Sequence, residues 1–208
     1  MAICKETYKD PNGDYEEYQN ISIEDKLLRT AHHEAGHIVV AAQQGVPLRK
    51  DGISVDPVGE GLACYWKEPL SNDVSRKSVI RATFAGFDAE EEYCRLNSLP
   101  VLEGLPIIWS PDWTEARTLA TRLDDIAPFT SANLVQESLH DESRLLIKQY
   151  WSAIRAIAGA LLAKEWEPLI ELKSGGIWSH QATAKYLKAQ ELVPMLESFG
   201  IAATYRVS

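Results

Sequence analysis

The residues in this 208-residue chain whose types and spacing best suit chemistry are His33-Glu34-Ala35-Gly36-His37. On a helix, positions i and i+4 share one face a turn apart, so the two imidazoles can grip a single ion. Glu34 stands beside the first histidine, where its carboxylate can reach a water held by the ion rather than the ion itself. It would take the proton of that water as the oxygen attacks a carbonyl, then pass it to the departing amine. The expected ion is Zn2+, which lowers the pKa of its water to about 7 and polarises the carbonyl. The five-residue pattern also turns up in helices that bind no metal. Gly36 argues against that bland reading. An interior glycine costs a helix about 1 kcal/mol relative to alanine, so its presence points to a close approach.

A third ligand decides between the two readings. Position 43, six residues after His37, is Gln43, so the third histidine of a metzincin is excluded. A glutamate from a following helix, in the manner of thermolysin, would be Glu90, Glu91 or Glu92, although that cluster reads more simply as a solvated helix face. Asp112, at the head of a helical pattern in SPDWTEARTLA, is the remaining candidate.

The elements that position these residues are read from periodicity and punctuation. Ser22-Ile23-Glu24-Asp25 resembles a capping box, and apolar residues then recur at helical spacing to about Gln44, where Gly45 and Pro47 stop the helix. Ile53-Ser54-Val55 and Leu62-Ala63-Cys64-Tyr65-Trp66 are short β-type runs joined by a Pro57, Gly59, Gly61 turn, which predicts a hairpin. Ser71, Asn72 and Asp73 offer caps for a second helix to about Leu96. Residues 97–111 hold three prolines and predict a long ordered loop. A third helix is expected from near Asp112 to about Leu123, and a fourth, long and amphipathic, from about Ser138 to Trp166. Ser174-Gly175-Gly176 breaks the chain. Ser179 caps a last short helix, with two more helical turns after Pro194. The fold class is mainly α with a small β element (α+β). Residues 1–20, polar and carrying the turn signal Pro11-Asn12-Gly13, read as a flexible arm, and 21–208 as one domain.

Composition narrows the partners. Hydrophobic residues make up 45% and charged residues 25%, with a net charge of −9. Such a balance repels phosphate backbones and anionic lipid, so nucleic acid is not an expected partner. No apolar run approaches the roughly 20 residues of a membrane span, and the N-terminus lacks the apolar stretch of a signal peptide. Cys4, Cys64 and Cys94 are widely spaced and odd in number, which fits a reducing compartment and a cytoplasmic protein.

The stretch Ala31-His32-His33-Glu34-Ala35-Gly36-His37 resembles the motif of the FtsH-type proteases, the zinc peptidase domains of membrane-anchored AAA proteases. Asp112 with Ala116 resembles their third-ligand element, an aspartate followed four residues later by a small residue at the start of a helix. Asp51 to Ala63 is similar to the family's strand and Pro/Gly turn beside the active site, and Ala85-Gly86-Phe87-Asp88-Ala89-Glu90-Glu91 to its glycine-containing helix ending in paired acids. The long helix that ends Leu161-Leu162-Ala163-Lys164-Glu165 resembles the family's late helix. The likeness covers about residues 27–166. It departs where the family has Asn and Leu around the ligand aspartate: here Pro111 and Trp113 stand there. Ala63 replaces a common glycine.

The resemblance implies an FtsH-peptidase-like fold, Zn2+ held by His33, His37 and Asp112, Glu34 as catalytic base, and a structural role for Glu90 and Glu91. It implies a metalloendopeptidase acting on flexible or unfolded polypeptides. No Gly-x-x-x-x-Gly-Lys-Ser/Thr loop occurs in the sequence, so the likeness is to the peptidase half, without the ATPase module or the anchor. A separate ATPase feeding the site, or substrates already unstructured, is then expected. Related domains pack in six-fold rings, and the residues here leave monomer and homo-oligomer open. A free strand edge at Ile53, Ser54, Val55 or at Leu62, Ala63, Cys64 would bind the substrate peptide by main-chain pairing. The alternative is a zinc-binding, non-catalytic interaction or regulatory module of the same fold. Trp109 and Trp113 could wall a pocket or anchor the loop. His32, His140 and His180 read as packing or surface residues.

Overall fold

Ser22 opens the helix that carries the site. Its backbone is extended, its Oγ accepts the amide of Asp25 at 3.0 Å, and its hydroxyl donates to the Asp25 carboxylate. Such a cap satisfies one of the orphan amides of a helix start. Helix α1 then runs Ile23–Gln43, and its apolar stripe, including Ala31, Ala35, Ile38, Val39 and Ala42, is buried. The structure, a computed structural model, describes residues 3–9, 15–67, 72–99, 111–123, 132–168 and 183–206. Most of the expected 97–111 loop, the Ser174-Gly175-Gly176 break, Ser179, His180, Trp109 and the Pro11-Asn12-Gly13 turn lie outside them.

Helix α2 (Asp73–Leu96) starts from Asn72, whose side chain accepts the Ser75 amide at 2.9 Å. It packs along α1 more extensively than any other element. Helix α3 (Pro111–Ala120) lies on α2 and buries Ala116, Leu119 and Ala120. The expected helix over 138–166 is two helices, α4 (Ala132–Gln149) and α5 (Trp151–Leu162), bent at Tyr150. The bond from the Tyr150 amide to Leu146 O persists at 2.9 Å, so only Tyr150 separates the two helices. The reason is tertiary: α4 packs against α2, whereas α5 packs against α1.

Strands β3 (Leu48–Val55) and β4 (Gly61–Tyr65) form the expected antiparallel hairpin. The region expected to hold only a last short helix contains strand β6 (Thr183–Leu187), which pairs antiparallel with β3. It is followed by helix α6 (Ala189–Ser198), which has Pro194 in its interior rather than ahead of its first turn. The short β5 (Glu167–Pro168) extends the sheet beyond β6, and β7 (Tyr205–Arg206) pairs parallel with the start of β3. The order is β4-β3-β6-β5. Residues 1–20, read as an arm, contribute a second, two-stranded antiparallel sheet of β1 (Ile3–Lys9) and β2 (Tyr15–Ser22). A mainly helical fold with a small sheet, α+β, is what the described residues form. Among them, no helix is long and apolar enough to cross a membrane.

Sheet order corrects one expectation about binding. Ile53, Ser54 and Val55 pair with Ala63, Leu62 and Gly61 on one side and with Leu187, Tyr186 and Lys185 on the other. Their edge is occupied on both flanks, so no peptide can add there. Among the described residues, β4, with Leu62, Ala63 and Cys64, is the sheet edge beside α1.

Candidate metal centre

Two helical rows facing one another build the site. Arg29, His33 and His37 recur at i+4 along α1, and Ala82, Gly86 and Glu90 recur at i+4 along α2, running the opposite way. His37 Nδ1 lies 2.7 Å from Ala82 O. A carbonyl only accepts, so Nδ1 carries the hydrogen and a neutral His37 presents its Nε2 lone pair inward. His33 Nδ1 faces Glu90 Oε2 at 3.3 Å, which by the same reasoning leaves His33 Nε2 inward. Arg29 clasps the other Glu90 oxygen through Nε at 2.9 Å and Nη2 at 2.5 Å. Outer carboxylate and carbonyl partners of this kind fix the tautomer and orientation of metal-binding histidines.

The two Nε2 atoms lie 3.1 Å apart, and Asp112 Oδ2 lies 3.1 Å from His33 Nε2 and 3.3 Å from His37 Nε2. These three side chains could hold a metal ion. Four-coordinate bonds of about 2.0–2.1 Å separate their donors by roughly 3.3 Å, close to the spacing found, so the donor set fits a small tetrahedral cation. Gly86 allows it: a Cβ there would lie 2.5 Å from His33 Nε2 and closer to His37 Nε2. Gly36 lets the helices meet, since a Cβ at that position would collide with Ala85 O and Ala89.

The electrostatics favour positive charge. Burial acts to lower the His33 imidazole, but its hydrogen bonds to the carboxylates of Asp112 and Glu90 outweigh it and hold the group well above its ordinary value. Burial acts to raise Asp112, yet His37 and His33 hold it well below the usual carboxylate range. Glu90 is likewise lowered, against burial, by His33 and Arg29. Glu34 goes the other way: burial raises it in spite of His33 and His37. Its side chain lies under the start of β4, where a Cβ on Gly61 would strike Glu34 Oε1 and come within 2.6 Å of Thr30 Cγ2. Thr30 Oγ1 donates to Gly59 O at 2.8 Å, which ties the β3–β4 turn to α1. Lys67, just past β4, pairs with Glu115 of α3, so an ion pair links the edge strand to the helix bearing Asp112.

No protein-family model matches this chain, and no curated protein matches it in sequence.

His33, Glu34, His37 and Asp112 thus come together. Glu91 is nearly half exposed and points away. Glu90, read as structural, touches His33 directly. Arg29, Gly61 and Gly86 were not singled out as site residues from the sequence. Arg29 had a signal, standing one turn before His33 on the same row. His32 is a packing residue: its ring stacks on Tyr93 at 4.3 Å and Trp151 at 5.4 Å. His140 is also a packing residue, with its Nε2 2.7 Å from Asp88 Oδ1 across 52 residues of sequence.

Proposed function

We propose that the chain is a zinc-dependent endopeptidase of FtsH type that hydrolyses flexible or unfolded polypeptides in the cytoplasm. His33, His37 and Asp112 would hold the ion, and Glu34 would serve as general base. The observation that carries the reading is the convergence of two Nε2 atoms and one carboxylate oxygen within 3.1–3.3 Å, each imidazole fixed from behind. Zinc, when bound, supplies a Lewis acid for the carbonyl and acidifies a water.

The chain's own residues do the rest. The β4 edge pairs with an extended peptide and lays it across the site, with the strand crossing Glu34 at Gly61. Glu34, raised by burial, accepts the proton of the attacking water and returns it to the departing amine. Glu90 and Arg29 keep the His33 ring oriented. Main-chain pairing requires an extended segment, so folded substrates need an unfoldase, and a separate ATPase is the partner of that chemistry. Cys64 and Cys94 are free and buried, which suits a reducing compartment.

The test joins metal content with cleavage of unfolded casein. About one zinc per wild-type chain, lost in Asp112→Ala, is expected. Glu34→Gln should keep the zinc and lose about 10²–10⁴ of the rate. Zinc without wild-type cleavage would turn the reading to a zinc-binding interaction module. Absence of stoichiometric metal would remove the basis of both.

A further inference from the structure

We infer that His140 is a positioning residue for the metal centre, acting through Trp113 to hold the helix that delivers Asp112. The inference rests on the proposed ligand set. His33 and His37 stand in the middle of α1, a helix of 21 residues braced by α2 and α5. Asp112 stands at a helix end instead. It is the second residue of a ten-residue helix whose buried residues, Ala116, Leu119 and Ala120, all lie beyond its first turn. The side chain next to the ligand is Trp113, which packs partly buried against the core. Its indole meets the Phe84 ring edge-on at 5.1 Å and the His140 ring edge-on at 5.4 Å. His140 and Phe84 lie 4.7 Å apart, so the three rings close a triangle. Phe84 is fully buried and stands two residues before Gly86, so the triangle ties the first turn of α3 to the stretch of α2 that touches both imidazoles.

His140 in turn is held from behind. Asp88, its side chain 1% exposed, accepts from His140 Nε2 at 2.7 Å, with Arg144 Nε at 3.5 Å from the same oxygen. The second Asp88 oxygen finds no hydrogen-bond partner among the described residues. A buried carboxylate left half satisfied is a poor device for stability alone. Breaches of local rules of this sort gather where a site is being held. A ring fixed at one nitrogen presents a defined edge and face to its aromatic neighbours, whose geometry is directional. The chain Asp88–His140–Trp113–Asp112 thus carries orientation from the α2–α4 contact to the third ligand.

The experiment measures zinc affinity by chelator competition, the visible spectrum of the Co2+-loaded protein, and apo-protein melting for wild type, His140→Ala, Trp113→Ala and the double variant. His140→Ala is expected to weaken zinc binding about 10–100-fold and shift the Co2+ bands, as loss of an outer-shell support does. Because His140 acts through Trp113, the double variant should bind no more weakly than Trp113→Ala alone. Should His140→Ala fail to fold, His140→Gln keeps a donor for Asp88, removes the ring, and should show the same loss. A variant that melts lower but keeps wild-type affinity and spectrum would reduce His140 to a staple between α2 and α4 and overturn the inference. Full additivity of the two substitutions would overturn it also. Wild type without stoichiometric metal would instead sink the ligand assignment itself.

Discussion

Gly86→Ala isolates the site from the fold with a single methyl group. The new Cβ would sit 2.5 Å from His33 Nε2 and 2.6 Å from His37 Cε1, about 0.9 Å short of the 3.4 Å at which ordinary contact begins. Neither side can retreat freely. Drawing α2 away would open the contact that Gly36 makes with Ala85 and Ala89, and His37 is pinned to Ala82 O at 2.7 Å. The imidazoles must therefore rotate off their shared point by several tenths of an ångström. A metal site tolerates about 0.2 Å in its bond lengths, so affinity should fall at least about 100-fold, or some 2.7 kcal/mol. The fold should feel far less. Overpacking costs about 1–3 kcal/mol, and alanine returns about 1 kcal/mol of helix propensity. The net loss of about 0–2 kcal/mol lowers Tm by at most about 8 °C in a domain of this size. Zinc titration against a chromophoric chelator, beside thermal melting of the apo protein, reads both quantities. A Gly86→Ala protein that binds zinc as wild type does would refute the assigned site, because no arrangement using both Nε2 atoms leaves room for that methyl group.

Gly61→Ala drives a Cβ onto Glu34 Oε1, and the three atoms nearest to it belong to Glu34 and Thr30 rather than to a ligand. Casein cleavage should fall at least about 10-fold at full zinc content, and parallel loss of zinc would contradict the division between base and ligands. Arg29→Ala leaves the Glu90 carboxylate without its guanidinium partner. Urea unfolding should show about 3–5 kcal/mol of lost stability, and a loss under about 1 kcal/mol would show the pair to be idle. Burial pushes the Cys64 thiol up to about 12 and Cys94 up to about 11. A raised thiol pKa makes thiolate scarce below it, on the order of 10⁻⁴ and 10⁻³ at pH 8. Native protein should therefore leave both unalkylated by iodoacetamide over an hour, and rapid labelling would refute their burial. Removing metal with a chelator should speed amide exchange in 111–120 while leaving 29–42 protected, and uniform loss of protection would deny that α1 and α2 are preformed.

The part of this molecule legible in its sequence is the part made by local rules. Ser22 and Asn72 cap where hydroxyl and amide side chains should, and His33 and His37 share a face because four residues make a turn. What the sequence hid was decided across the chain. The bend at Tyr150 has no glycine or proline to announce it and exists because α4 and α5 pack on different partners. Strand β6 is hidden because Thr183–Leu187 is too short to show a period and its pairing with β3 joins residues at least 130 apart. The same pairing closes the β3 edge, which no local pattern of Ile53–Val55 could reveal. Glu90 illustrates the limit well. Its place in an acidic run reads as a solvated face, and only the α1–α2 packing shows which of three neighbouring glutamates turns inward.

The two facing rows explain how one helix pair serves both folding and chemistry. Ala35, Ile38 and Val39 of α1 and Ala82, Ala85 and Ala89 of α2 are fully buried, so apolar packing sets the register between the helices. That register brings Ala82 O to one imidazole and Glu90 to the other, orienting both rings before any cation arrives. Two of the three proposed ligands are thereby preorganised by the core, and only Asp112 depends on a separate, shorter helix. The cluster also gathers negative charge: among the described residues Glu34, Asp112 and Glu90 stand with Arg29 on Glu90 and Lys67 at the rim. A partly preformed, electronegative site on a rigid helix pair attracts a divalent cation at little cost in reorganisation. The affinity left to be decided then lies in how firmly α3 is held, which is why the rings around Trp113 matter to the metal although none of them touches it.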